Sequence, residues 1–137
     1  MVCIYCGSST RTVNSRHRGH TNSVWRRRSC LSCKSIFTTW EVPELSSSLM
    51  VGGRVSGLQK FSRDRLFLSI YESCKHRPQA IEDAAALTQT IISQLGDRTA
   101  GVFRKDEVAA ICLRVLRRFD GVAATIYEAY HPAAPKD

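Results

Sequence analysis

The sequence predicts an α+β fold in two modules: a small four-cysteine β module, then a mainly α-helical module that opens with a β-hairpin. Three observations point there. Cys3/Cys6 and Cys30/Cys33 form two Cys-x-x-Cys pairs in the first quarter of a 137-residue chain. Near residue 45 the composition changes from Cys-, Arg-, Ser- and Thr-rich to aliphatic. Beyond that point apolar residues recur with the period of helices. The length allows one ordinary domain or two very small ones. The modules read as residues 1–45 and 49–131, joined by a linker at 46–48 (Ser46-Ser47-Ser48, just after Pro43) and followed by a tail at 132–137.

In the first module, Ser35-Ile36-Phe37-Thr38-Thr39-Trp40 is β-branched and aromatic and predicts a strand leaving the second cysteine pair. Val13 and Val24-Trp25 mark two further short strands. Aliphatic residues are too few here to build a core, so a piece of this size needs another source of folding free energy.

In the second module, Leu49-Met50-Val51 and Leu58-Gln59-Lys60-Phe61 flank the Gly-rich stretch 52–57, the pattern of a hairpin. Phe67, Ile70, Tyr71 and Cys74 recur at i, i+3, i+4, i+7, with Ser62 as the N-cap. Pro78 suits the first turn of the next helix. Its stripe runs Ile81, Ala84, Ala85, Thr88, Ile91, Ile92, Leu95, until Gly96 stops it. Val108, Ile111, Cys112, Val115, Leu116 and Phe119 form a third stripe. Val122, Ala123, Ile126, Tyr127 and Tyr130 form a fourth, ending before Pro132. These stripes report packing into a shared core. Cys74 and Cys112 stand alone within them and read as small buried hydrophobes.

The paired cysteines carry the chemistry. No window is apolar enough to span a bilayer, and the start lacks the basic-then-apolar pattern of a signal peptide. A cytoplasmic location follows, where thiols stay reduced and paired cysteines serve more often as metal ligands than as disulfides. Cys3, Cys6, Cys30 and Cys33 would give four thiolates in a closed tetrahedron, the pattern of a zinc ribbon spanning residues 3–33. Gly7 fits the turn of the first knuckle. An iron–sulfur centre and a redox dithiol compete with zinc, but two knuckles at this spacing are more specific than one. With four sulfurs there is no open position, so the metal would be structural. His17 and His20 are surplus as ligands and suit an exposed or phosphate-side role.

The formal net charge is +8, of which residues 1–45 carry +5, from seven Lys/Arg against two Asp/Glu. That asymmetry points to a polyanion partner for the first module. Arg26, Arg27 and Arg28, with Arg11, Arg16 and Arg18, are its candidate nucleic-acid-contacting residues, and charge alone does not separate DNA from RNA. On an extended segment Arg26 and Arg28 point to one side and Arg27 to the other. Nothing suggests an enzyme: no carboxylate pair, no nucleophile–base arrangement and no open metal site is visible.

Several of these segments resemble the NrdR family, bacterial repressors of ribonucleotide reductase genes built from a zinc ribbon and an ATP-cone. Cys3-Ile4-Tyr5-Cys6-Gly7 is similar to the family's first knuckle, Asn14-Ser15-Arg16 to its Asp-Ser-Arg, and Arg26–Cys33 to its arginine-run knuckle. Phe37-Thr38-Thr39-Trp40-Glu41 resembles its Phe-Thr-Thr-Tyr-Glu. In the second module Phe61–Leu66, Lys75-His76-Arg77-Pro78 and Leu116–Ala123 resemble further family elements. The resemblance implies one structural Zn²⁺, double-stranded operator DNA as partner, and an ATP-cone at 49–131 that takes ATP and dATP and sets a homo-oligomeric state. The family's Val-x-Lys-Arg-Asp-Gly hairpin becomes Val51-Gly52-Gly53-Arg54-Val55-Ser56-Gly57 here, with one basic residue kept and the Asp gone. Toward the carboxyl end its Val-Ala-Tyr-Val-Arg-Phe becomes Val122–Tyr127, without the arginine. Val51, Arg54, Lys60, Arg65, Lys75 and Arg77 are the candidate nucleotide-contacting residues. The alternative is a nucleotide-blind or protein-docking zinc-ribbon accessory subunit.

Overall fold

The computed structural model describes residues 1–53, 57–96 and 101–132. The chain divides into two compact units, Met1–Pro43 and Glu44–Asp137. The first is a three-stranded antiparallel sheet, order β1-β2-β3, of β1 (Thr10–Arg18), β2 (Ser23–Cys30) and β3 (Ile36–Glu41). A 3-10 turn at Gly19–Thr21 joins β1 to β2, closed by Asn22 in the left-handed region at φ 43°. Asn tolerates that conformation better than most residues. Thr12 faces Arg28 and Asn14 faces Arg27, so Val13 is an extra residue in β1, a β-bulge. Val13 is exposed. The unit's buried cluster is only Cys3, Cys30 and Phe37. Apolar burial on that scale cannot offset the chain entropy of some forty residues, about 1–2 kcal/mol each.

The second unit opens on α1 (Leu45–Ser48), a single turn whose Glu44 carboxylate accepts from the Ser46 N–H at 2.8 Å. Ser46–Ser48, expected as a linker, is therefore part of this turn. β4 (Met50–Gly53) and β5 (Gly57–Lys60) pair antiparallel with Met50 opposite Lys60 and Gly53 opposite Gly57, the expected hairpin. A third strand, β6 (Val102–Arg104), runs parallel to β4 on its other side, giving the order β5-β4-β6. Three residues are too short a run to register as a strand in the sequence.

Four helices follow the expected stripes: α2 (Arg63–Cys74), α3 (Ala80–Gly96), α4 (Lys105–Phe119) and α5 (Gly121–Tyr130). The Ser62 hydroxyl accepts from the Arg65 N–H at 3.2 Å, so the expected cap is present. Pro78 lies two residues before α3 rather than in its first turn. α2 packs on α3 and α5, and α4 packs on the same two helices as well as on β4 and β6. The shared core is built from Phe61, Leu66, Ile70, Leu87, Ile91, Leu95, Phe103, Ile111, Leu116 and Tyr127, among others. Cys74 and Cys112 are fully buried in it, as expected. Burial pushes the Cys112 thiol up to about 11 and raises Cys74 as well, so neither is a thiolate near neutral pH.

In α2 Leu66 and Ser73 join Ile70 and Cys74 in the interior while Phe67 and Tyr71 are half-buried, and in α4 Phe119 is exposed. In two further helices the phase of the buried stripe also differs from the expected one. In α3 the buried line is Ala80, Ala84, Leu87, Thr88, Ile91 and Leu95, and Ile81 is exposed. In α5, Ala123, Ala124 and Tyr127 face inward, while Val122 and Tyr130 are exposed. Both helices are apolar around much of their circumference. Close helix approach selects their small residues for the interior.

Candidate metal centre and basic surfaces

Each cysteine pair closes a knuckle by the same hydrogen bonds. The Cys3 N–H donates to Ser8 O at 2.8 Å and the Cys30 N–H donates to Ser35 O at 2.9 Å. A backbone N–H then points at a sulfur in each: Tyr5 N to Cys3 Sγ and Cys33 N to Cys30 Sγ, both at 3.4 Å. The residue after each pair is left-handed, Gly7 at φ 73° and Lys34 at φ 61°. Glycine takes that conformation without strain. Lys34 takes it while its ammonium donates to Leu31 O at 2.7 Å.

The two knuckles meet across the sheet end. Cys3 Sγ lies 3.7 Å from Cys33 Sγ, Cys6 Sγ lies 3.5 Å from Cys30 Sγ, and all four sulfurs fall within 4.8 Å of one another. A tetrahedron with ~2.3 Å metal–sulfur bonds has edges of about 3.8 Å. The donor set therefore fits one zinc ion with no position left for substrate or water. Cys3 and Cys30 are buried, while Cys6 and Cys33 are exposed. The Ser8 hydroxyl and N–H hold the Cys6 thiol down to about 6, and Ser35 lowers Cys33 in the same way. Burial pushes Cys30 up to about 11. Zinc bound here would keep all four sulfurs as thiolates and tie the segment before β1 to the β2–β3 connection. His17 in β1 and His20 in the connecting turn are exposed and lie outside the sulfur cluster.

The six ribbon arginines divide between two faces of the sheet. Arg26 and Arg28 alternate with Arg27 along β2, as expected. On their side the Arg26 Nη2 donates to Glu41 Oε2 at 2.7 Å and the Arg28 Nε donates to Thr39 Oγ1 at 3.2 Å. On the other side Arg27 is joined by Arg11 and Arg16, which pair with Ser29 and Trp25, and by Arg18, opposite Ser23. Trp25 and Trp40 lie opposite each other on this second face. From sequence alone both tryptophans read only as strand residues. Only the pairing register shows what they sit beside.

The expected nucleotide residues also divide. Val51 is a half-buried residue of β4 packed on the core. Arg54 lies outside the described residues. Lys60 and Arg65 line one cleft with Ser46, Gln59, Phe61 and Ser62, at the first turn of α2. Lys75 and Arg77 follow the other end of that helix, some 15 Å away at ~1.5 Å per residue. Lys75 pairs with Glu72 at 2.5 Å. The Arg77 guanidinium bridges Asp83 at 2.7 Å and Asp120 at 2.8 Å and covers the Phe119 ring at 4.4 Å. The structure thus brings two of the candidates together and commits Arg77 to holding α3 and α5.

Residues 1–41 match the family described as the transcriptional repressor NrdR-like N-terminal domain. A transcriptional repressor NrdR of Bifidobacterium longum is 33% identical over 133 residues, covering 93% of this chain and 88% of that protein. The chain belongs to the NrdR family. The NrdR proteins of Acetivibrio thermocellus and Bacillus cereus are 30% and 29% identical, each over 135 residues and 95% of this chain. The NrdR resemblance therefore runs through both units, beyond the zinc ribbon. The NrdR relatives are named as repressors, regulators rather than enzymes, and the four-cysteine ribbon supports one structural zinc in this member. Among the described residues no helix is long and apolar enough to cross a membrane.

Proposed function

We propose that this chain represses transcription by binding duplex operator DNA, upstream of ribonucleotide reductase genes, through its zinc ribbon. Its second unit binds adenine nucleotide and sets the oligomeric state. The observation that carries this reading is the NrdR similarity over 93% of the chain, continuous from the ribbon into the helical unit. The basic sheet supports the first part, since a polyanion gains most from a surface rich in always-charged forks. The cleft lined by Lys60 and Arg65 supports the second, because its lining includes two cations at the first turn of a 12-residue helix, whose positive end favours an anion. Control requires that nucleotide-bound forms differ in assembly and that the assemblies differ in DNA affinity.

The test is a titration of zinc-loaded protein into labelled reductase-promoter duplex at low and raised salt, with and without ATP or dATP. Binding that weakens steeply with salt is expected, with a nucleotide-dependent change in affinity and in sedimentation. No affinity at low salt under any nucleotide condition overturns the repressor reading. Calorimetric silence with both nucleotides overturns the second part alone and leaves a nucleotide-blind repressor.

A further inference from the structure

The bulge at Val13 decides which arginines act together. In an uninterrupted strand Arg11 and Arg16, five residues apart, would point to opposite faces. The extra residue shifts the alternation, so Arg11, Arg16 and Arg18 share the face of Arg27. Along the three strands the sole carboxylate is Glu41, opposite Val24 and on the face of Arg26. One face therefore carries four arginines with no strand carboxylate, and the other carries two arginines already engaged by Glu41 and Thr39.

The tryptophans give the first face its order. The Arg16 guanidinium carbon lies 5.9 Å from the Trp25 ring centroid and that of Arg18 lies 5.6 Å from Trp40's. Trp40 is 52% exposed and Trp25 is half-buried between its neighbours. A guanidinium held over an indole keeps its N–H edge free for hydrogen bonds, and the stack reduces the rotamer entropy lost on meeting a phosphate or a base edge.

We infer that the ribbon meets duplex DNA with the Arg11–Arg16–Arg18–Arg27 face, and that Trp25 and Trp40 are positioning residues for Arg16 and Arg18. Arg26 and Arg28 serve the ribbon's own sheet. This rests on the DNA-binding reading above and adds the surface and the residues that organise it.

The experiment compares full-length zinc-loaded variants for duplex affinity and for the slope of log affinity against log salt, with zinc content confirming the fold. Arg16→Gln and Arg18→Gln are each expected to weaken binding about tenfold and to reduce the slope by about one. Arg26→Gln is expected to stay within about threefold of wild type with the slope unchanged. Arg28→Gln, whose partner is neutral, supplies the same comparison if Arg26→Gln loses zinc. Trp40→Leu should weaken binding several-fold at constant slope, and Trp40→Phe should recover most of the loss. A slope lost in the Arg26 or Arg28 variants but kept in those of Arg16 and Arg18 overturns the face assignment. Trp40→Leu binding like wild type overturns the positioning role. Both results require wild-type binding, so they are distinct from failure of the repressor reading, which appears as no wild-type affinity at all.

Discussion

At Asp120 one carboxylate ends α4 and starts α5. It accepts from the Val122 N–H at 2.8 Å and the Ala123 N–H at 3.1 Å, and it meets Arg77 at 2.8 Å and His76 at 3.1 Å. The Ala123 N–H first, then Arg77 and His76, hold its pKa well below the ordinary 3.8. A depressed folded value means that this stabilisation is complete above the unfolded carboxylate's pKa and is lost as pH falls through the folded one. Asp120→Asn keeps a capping oxygen but loses the charge, so it should lower Tm at pH 7 by a few degrees. Asp120→Ala should lower it more. Melts repeated from pH 7 to pH 2 should show the gap between Asp120→Asn and wild type narrowing toward the acid end. The sequence displays the charge of Arg77 but not an acidic partner 43 residues away, which is why Arg77 reads as a phosphate ligand before the fold is known.

Single helices show what periodicity can and cannot supply. The start of α2 is legible because its cap is a local event: Ser62 sits three residues before the N–H it accepts. Ser62→Ala should cost about 1 kcal/mol, read as a lower urea midpoint at unchanged m-value. The stripe in α3 is legible in period but not in phase. Ile81 has neighbours at helical spacing, yet the interior takes Ala80, Ala84 and Leu87. A hydrophobic pattern that is nearly continuous leaves rotation about the helix axis to be set by the partner helices. β6 is illegible for a different reason. Three residues carry almost no β signal, and their partner strand is supplied by a distant part of the chain.

Across the whole molecule, the two units draw on different sources of stability. Unit 1 has three buried cluster residues and four sulfurs, and unit 2 has a continuous apolar core. Chelation at neutral pH should therefore abolish the dispersed amide signals of residues 1–43 while far-UV helical ellipticity stays near its starting value. A ribbon still folded after metal removal contradicts that expectation. The two-module plan and the cysteine cluster are legible from sequence because composition and spacing carry them. The working face of the ribbon is not, because one unpaired residue in β1 reassigns every side chain on one side of it.

The central position of β4 also has a consequence in time. Its partner on one side, β5, follows after a short turn, while β6 arrives roughly fifty residues later, a loop whose closure entropy must be met before any β4–β6 bond forms. The cleft of Ser46, Gln59, Lys60, Phe61, Ser62 and Arg65 is drawn from one local stretch, Ser46 to Arg65. During refolding the residues that line this cleft can thus come together while one edge of β4 is still open, with β6 the last strand to join the sheet.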